Sequence, residues 1–356
     1  MGGMVPTVDD LLAAPIAVAL LDRLEVAERQ RFLPFDALTD SAPAAVEQAA
    51  AALDSTSLGT LLHVVLGAAS LVGPWTGGAA DSLASCYEFA PRRRRLAEAL
   101  WQRFGGELVG PASPSRQEHW LDSHDVASSI EPALVDLSRV YGNGEFTWSG
   151  LWTTSTPPSE IHDDLVAAWE LGPGPVSRWR LPVRPGARVW SIDHPGDWVG
   201  LVEAFPMEAR GPHHGWELPG PNQHGAEVAR LARVVGQHAV RTSVNRHVLP
   251  DWTAVAETYD GVHLSWAGVL TAEGFVSDLP GGGVTMLRYW WSERTLWLRD
   301  VFGEPEPLAA PALSGRVSGL RGIDVAHGHE TRVDRDRVAI ARRLRRPTDP
   351  SLSSSR

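Results

Sequence analysis

The stretch LSRVYGNGEFTWSGLWTTST, residues 137–156, carries the clearest structural pattern in the chain. From Phe146 to Thr156, aromatic or apolar residues alternate with small polar ones, which is typical of a β-strand with one buried face. Gly142-Asn143-Gly144 tolerates the positive φ angles of a tight turn, so the stretch predicts a β-hairpin. The strand ends in hydroxyl side chains before Pro157-Pro158, and hydroxyls at a strand end can orient a charged group or a ligand.

Composition limits what the rest of the chain can do. With 356 residues, 43% apolar and 21% charged, the protein can bury at least one full core and is predicted to fold as two units. The net charge of −11 gives no overall basic field to attract nucleic acid or an anionic membrane. Cys86 is the only cysteine, which excludes an internal disulfide framework and a cysteine zinc site.

Two further observations concern localisation. The N-terminus has acids where a signal peptide needs basic residues. The longest apolar run, residues 58–72, is shorter than the roughly 20 residues of a membrane span. We therefore expect a cytoplasmic protein without a membrane partner.

The N-terminal part, residues 1–105, is predicted to be a helical domain. Thr7 followed by Asp9 and Asp10 indicates a helix start, and Pro15 indicates a kink or a second start. The positive charges of Arg92 to Arg95 oppose the dipole of the helix they open, which favours a solvated or ion-paired face. Further helices are predicted over residues 42–53, 58–72 and 92–104. Residues 106–122 are rich in Gly, Pro and Ser and are predicted to be a linker.

Beyond the linker, strand patterns dominate, and twelve of the 15 tryptophans lie after residue 140. Helices and strands do not alternate regularly, so we predict an α+β fold with a mostly antiparallel sheet over residues 123–304. A fragment starting near Ser123 is then expected to fold alone. Residues 305–356 are predicted to be a loose C-terminal segment and tail. Strands are predicted at 146–154, 177–183, 188–192, 262–266, 284–290 and 295–301, and helices at 161–170, 195–205, 225–235 and 251–259.

Three segments of this second part together resemble the ADP-ribosyltransferase fold. They are GLWTTSTPP at 150–158, VSRWRLPVRPGARVWSID at 176–193 and WWSERTLWLRDVF at 290–302. The resemblance, over roughly residues 130–302, is to the class whose site consists of an Arg, a Ser/Thr-Ser-Thr-like strand and a late Glu. It implies NAD as the substrate, Arg139 as the first element, Thr153, Thr154 and Ser155 as the second, and Glu293 as the third.

Chemistry gives each of these residue types a role. Cleavage of the nicotinamide–ribose bond passes through an oxocarbenium-like sugar, which a carboxylate such as Glu293 can stabilise. A hydroxyl such as that of Ser155 can fix the carboxylate, while Thr153 and Thr154 complete the hydroxyl run. The Arg139 guanidinium can hold the dinucleotide phosphates bidentately. The rings of Trp152 and Tyr289 can stack on the nicotinamide, with Trp290 nearby.

One departure concerns the acceptor of ADP-ribose. Members that modify arginine carry an acid or Gln two residues before the catalytic Glu, where this chain has Trp291. Modification of arginine is therefore not favoured. A nucleobase, another side chain, a small molecule or water stays open as the acceptor.

A non-enzymatic alternative also fits the sequence. A Trp-rich sheet can grip a protein partner or a small ligand without turnover. Under that interpretation Arg139 is a surface ion pair, and Glu293 is an ordinary charged residue in a turn between two apolar strands. Under the catalytic interpretation too, Glu293 is expected in an exposed turn, so its replacement is predicted to change the fold and the NAD affinity far less than turnover. His162, His194, His213, His214 and His263 lack the i, i+4 histidine pair of a helical zinc site, so no metal is predicted.

Overall fold

The computed structural model of this chain describes residues 4–32, 43–69, 83, 86–110, 113, 115–122, 151–156, 161, 165, 176–208, 246, 248–287 and 290–309. Residues 1–311 form one compact unit, and the second unit, 312–356, lies outside the described residues. So do Arg139, Tyr289, the predicted hairpin turn at 142–144 and the predicted helix at 225–235.

The chain is mixed helix and strand, as predicted. The helices are α1 (Val8–Ala13), α2 (Pro15–Phe32), α3 (Pro43–Ala52), α4 (Leu58–Ala69), α5 (Arg94–Leu108), α6 (Pro195–Ala204), α7 (Trp252–Thr258) and α8 (Trp266–Thr271). None of the helices that the structure describes combines the length and the apolar character needed to cross a membrane.

The first helices begin where the sequence indicated. The Thr7 side chain accepts a hydrogen bond from the Asp10 backbone, and the Asp10 carboxylate accepts one from the Thr7 backbone, forming a capping box. Helix α1 ends before Pro15, which opens α2. Within the basic cluster, Arg93 is buried and forms ion pairs with Asp22 and Glu25, both at 2.6 Å. Of the two predicted alternatives, the ion-paired one applies to Arg93, and Arg92, Arg94 and Arg95 are exposed.

The strands build four small sheets. Their bounds are β1 (Glu118–Asp122), β2 (Leu151–Thr153), β3 (Val176–Arg180), β4 (Val189–Ile192), β5 (Pro206–Glu208), β6 (Val248–Pro250), β7 (Gly261–Leu264), β8 (Val276–Asp278), β9 (Val284–Met286), β10 (Arg294–Trp297) and β11 (Glu306–Leu308). The sheets have the orders β1-β3-β11, β2-β10-β7-β4, β5-β6 and β8-β9. Among these strands only β4 and β7 pair in parallel.

The four-stranded sheet β2-β10-β7-β4 carries the candidate residue Glu293 at one of its ends. Strand β10 runs antiparallel to both β2 and β7, so β2, β7 and β4 point in the same direction. The residues that follow β2, β7 and β4 therefore lie at one edge of the sheet, together with the residue that precedes β10. That residue is Glu293.

One hydrophobic core joins residues from both sides of the predicted linker. It contains Leu11 and Ile16 from the first helices and Val262 and Leu296 from the central sheet. Every residue of α8 is buried, and α8 contacts α2. The linker prediction itself is wrong at both ends, because α5 continues to Leu108 and β1 begins at Glu118.

Several predicted strands end earlier than expected, and for the strand predicted at 262–266 a helix cap is the cause. Ser265 caps α8 by accepting a hydrogen bond from Gly268 N at 3.1 Å, so Trp266 is helical rather than the end of β7. Strand β9 ends at Met286, well before Trp290. Strand β10 ends at Trp297, after which Leu298 N donates to the Asp260 carbonyl.

Candidate functional site

Glu293 lies between the ends of two neighbouring strands. The pairing of Thr295 with Thr153 places Glu293 level with Ser155, just beyond the end of β2. The pairing of Arg294 with Leu264 places it level with Ser265 on the other side. Sheet pairing, rather than local sequence, thus brings Glu293 to the hydroxyl run of residues 153–156.

The Glu293 carboxylate is surrounded by hydrogen-bond donors. The hydroxyls of Thr154 and Thr156 each donate to Oε2 at 2.6 Å. The backbone N–H of Thr156 donates to Oε2, and that of Ser155 donates to both carboxylate oxygens, all at 3.0 Å. Such hydrogen bonds to a charged group are about twice as strong as neutral ones.

This environment corrects the expectation that Glu293 occupies an exposed turn. The residue is 4% exposed. A buried charge is tolerated only when it is paired or hydrogen-bonded, and residues 154–156 supply the donors. The replacement of Glu293 is therefore expected to cost stability, contrary to the interpretation from sequence.

Helix α8 contributes a further hydrogen bond to the surroundings of Glu293. The indole N–H of Trp266, at the first position of α8, donates to Thr156 Oγ1 at 2.9 Å. The Thr156 hydroxyl in turn donates a hydrogen bond to Glu293 Oε2, so the three side chains form a chain of hydrogen bonds. Trp266 and Thr156 are both buried, which keeps this chain apart from competing water.

The hydroxyl of Ser155 is not the one that holds Glu293. Ser155 Oγ instead accepts from Gln117 Nε2 at 2.9 Å and from Ser113 N at 3.3 Å. Among the side chains of the run, the predicted role of fixing the carboxylate falls to Thr154 and Thr156. Ser155 contributes its backbone N–H.

Thr153 also lies away from the carboxylate. It is fully buried, donates its hydroxyl to Gln117 Oε1 and accepts from Trp297 Nε1 at 2.7 Å. Gln117, which immediately precedes β1, thus forms hydrogen bonds with both Thr153 and Ser155. Both residues brace the end of β2.

A histidine completes the surroundings of Glu293. His263, on β7, is 2% exposed, and its Nδ1 lies 3.0 Å from Thr295 Oγ1 and 3.7 Å from Glu293 Oε1. Burial lowers the pKa of His263, while the negative charges of Glu293 and Asp193 and a hydrogen bond to the Gly110 backbone oppose that shift. The imidazole is therefore neutral at neutral pH.

An aromatic group lies beside the site. The Trp152 and Trp290 rings meet edge to face with centroids 4.8 Å apart, and the Arg294 guanidinium lies 5.3 Å from the centre of the Trp152 ring. Trp152 is half-buried, whereas Trp290 is fully buried. The structure thus brings Trp152 and Trp290 into direct contact.

Several residues of the site had only weak signals in the sequence. Thr156 belonged to the hydroxyl run, and His263 was noticed as a strand residue within reach of a site. Gln117 and Trp266 carried no local signal, because their contacts depend on the packing of β1 and α8 against the end of β2.

In the part of the chain that the structure describes, no group of three or more His, Cys, Asp or Glu side chains could hold a metal ion. His194 and Asp197 cap α6 instead. The His194 side chain accepts from Gly196 N at 2.8 Å, and the Asp197 carboxylate accepts from His194 N at 3.0 Å. Comparisons with protein-family models, with curated proteins and with solved structures found no match to this chain.

Proposed function

We propose that this protein cleaves the nicotinamide–ribose bond of NAD and transfers ADP-ribose to an acceptor or to water. The observation that carries the proposal is the hydrogen bonding of Glu293 to Thr154, Ser155 and Thr156. A carboxylate beside a hydroxyl-bearing strand end, contributed by segments 139 positions apart, is the arrangement that the sequence resemblance implied.

The donors around Glu293 suit a carboxylate that must keep its charge and orientation. Oε2 receives both hydroxyls and both backbone N–H groups, whereas Oε1 receives the Ser155 N–H and faces His263. Oε1 thus has the greater remaining capacity to accept a hydrogen bond from a ribose hydroxyl. A fixed negative charge at that position stabilises positive charge as it develops on the sugar.

The other proposed contacts follow from residue chemistry. Arg139 would hold the pyrophosphate bidentately, and Trp152 and Tyr289 would stack on the nicotinamide. Arg139→Lys should therefore bind NAD more weakly than the parent, because lysine keeps the positive charge but lacks the planar guanidinium. The acceptor stays open among nucleobases, side chains, small molecules and water.

The burial of Glu293 favours a second candidate, a Trp-rich binding module without turnover. At 4% exposure, Glu293 can contact NAD only if neighbouring side chains move apart. In the second candidate the carboxylate is a structural tie between β2 and β10, and the protein binds a partner or a small ligand through its aromatic side chains.

Release of nicotinamide separates the two candidates. The purified full-length chain is incubated with NAD, and free nicotinamide and ADP-ribose are measured over time. Nicotinamide release that Glu293→Gln abolishes supports the enzyme. Binding of NAD without release favours the binding module with a dinucleotide ligand. If the protein neither binds NAD nor releases nicotinamide, NAD is rejected as the ligand.

A further inference from the structure

A second buried carboxylate lies behind the candidate site. Glu273 follows the C-terminus of α8 and is 1% exposed. Its Oε1 accepts from the backbone N–H groups of Trp290 and Trp291, both at 3.0 Å, and its Oε2 accepts from Trp291 N at 2.8 Å. The carboxylate thus binds the segment that leads directly to Glu293.

That segment has an unusual backbone. Trp291 has a φ of 58°, and among the described residues it is the only non-glycine residue with a positive φ. Ser292 N donates to the Trp290 carbonyl at 2.7 Å, which closes a three-residue turn around Trp291. A bulky side chain in this conformation is strained and persists only where the surroundings enforce it.

Glu273 supplies that enforcement. The N–H groups of Trp290 and Trp291 point the same way, and a carboxylate receives both, which the ordinary extended backbone would not allow. Glu293 lies two residues after Trp291, so the direction of this turn sets where the Glu293 side chain begins. Helix α8 therefore acts on the site at both ends, through Trp266 on Thr156 and through Glu273 on the turn.

We propose that Glu273 is a positioning residue for Glu293: its carboxylate holds the turn Trp290–Ser292 and thereby places the Glu293 carboxylate against residues 154–156. The catalytic consequence of this placement rests on the proposed function. The placement itself does not, so it can be tested without any turnover.

The test uses amide hydrogen exchange in the full-length chain. The N–H groups of Ser155 and Thr156 both donate to Glu293, so their protection reports the position of that carboxylate. In Glu273→Gln, the protection of these two amides is expected to fall about tenfold or more, as in Glu293→Gln, because local opening becomes easier. The matched control is Glu257→Gln, an exposed change on α7, which should leave the protection unchanged.

Two additional variants keep the test decisive. If Glu273→Gln does not fold, Glu273→Asp retains the charge on a shorter side chain and should show a smaller loss of protection at Ser155 and Thr156. Trp291→Gly removes the strain, since glycine adopts positive φ without cost. In the Trp291→Gly background, Glu273→Gln should therefore lower the protection less than it does in the parent.

The kinetic readout follows if the parent releases nicotinamide. Glu273→Gln should then lower kcat about tenfold or more with little change in KM for NAD, since a misplaced catalytic group affects the transition state most. Unchanged protection of Ser155 and Thr156 in folded Glu273 variants overturns the positioning role. A parent that releases no nicotinamide rejects the proposed function, while the exchange result still decides the role of Glu273.

Discussion

The hydroxyl of Thr154 donates a 2.6 Å hydrogen bond to Glu293 Oε2, although 139 positions separate the two residues. The contact follows from the antiparallel pairing of β2 with β10, which brings the end of one strand level with the start of the other. Thr154 is itself fully buried and joined to Glu118 by two backbone hydrogen bonds of 2.9 Å. The site is therefore part of the framework that holds the sheets together.

Removal of the Thr154 hydroxyl should destabilise the fold. Thr154→Val keeps the side-chain shape but leaves the buried Glu293 carboxylate with one donor fewer, which is expected to lower the free energy of unfolding by about 1.5–3 kcal/mol. Thr156→Val should cost a similar amount, and it also removes the acceptor for the Trp266 indole N–H.

Urea unfolding measures both effects. Thr154→Ser is the matched control, since it keeps the hydroxyl and loses only a methyl group. A Thr154→Val protein as stable as Thr154→Ser would contradict the importance of the hydrogen bond to Glu293.

Glu293→Gln should also lower stability, by about 1–3 kcal/mol, because the new amide N–H₂ must face groups that themselves donate. Urea unfolding of the exposed-site variant Glu257→Gln, expected to lie within about 0.5 kcal/mol of the parent, provides the comparison. Equal stability of Glu293→Gln and the parent would mean that the carboxylate is not held as the structure shows.

The sequence predicted the parts of this fold that depend on local chemistry. Thr7 and Pro15 marked the helix starts, and the alternation around Trp152 marked β2, because capping and side-chain alternation act within a few residues. Glu293 was a candidate only through the resemblance to a class of enzymes in which a late Glu precedes a strand. Its burial was missed, because a lone charged residue between two apolar strands carries no signal that distant donors will enclose it.

The remaining contacts could not be predicted for a related reason. Gln117 was assigned to a linker, yet it is buried and forms hydrogen bonds with the hydroxyls of Thr153 and Ser155. Glu273 and the positive φ of Trp291 depend on the packing of α8 against the turn. These relationships arise only when segments far apart in sequence meet.

The pKa of His263 should show that the imidazole ring is buried. Burial lowers its pKa below the usual 6.5. The unfolded chain then binds the proton more readily than the folded one, so His263 lowers stability as the pH falls from about 6.5 through the folded pKa.

Histidine NMR of the full-length chain measures this, with His263→Gln identifying the signal that disappears. The same variant should make the free energy of unfolding less dependent on pH below about 6.5. A His263 signal that titrates at or above 6.5 would contradict the burial of the ring beside Glu293 and Thr295.

A fragment beginning at Ser123 should aggregate, contrary to what the sequence suggested. It lacks α2, which contacts the fully buried helix α8, and it lacks β1, which pairs with β3. Exposure of such apolar surface favours association. Size-exclusion chromatography of the fragment beside a longer one, residues 1–311, tests this, and a monomeric Ser123 fragment with cooperative unfolding would show that the second half folds alone.

The most direct measurement compares nicotinamide release by the parent, Glu293→Gln and Glu257→Gln, each shown by circular dichroism to be folded at the assay temperature. If the Glu293 carboxylate stabilises an oxocarbenium-like transition state, Glu293→Gln should lower kcat at least about a hundredfold, near 3 kcal/mol, while Glu257→Gln matches the parent. A folded Glu293→Gln protein that releases nicotinamide as fast as the parent would contradict the catalytic role of Glu293.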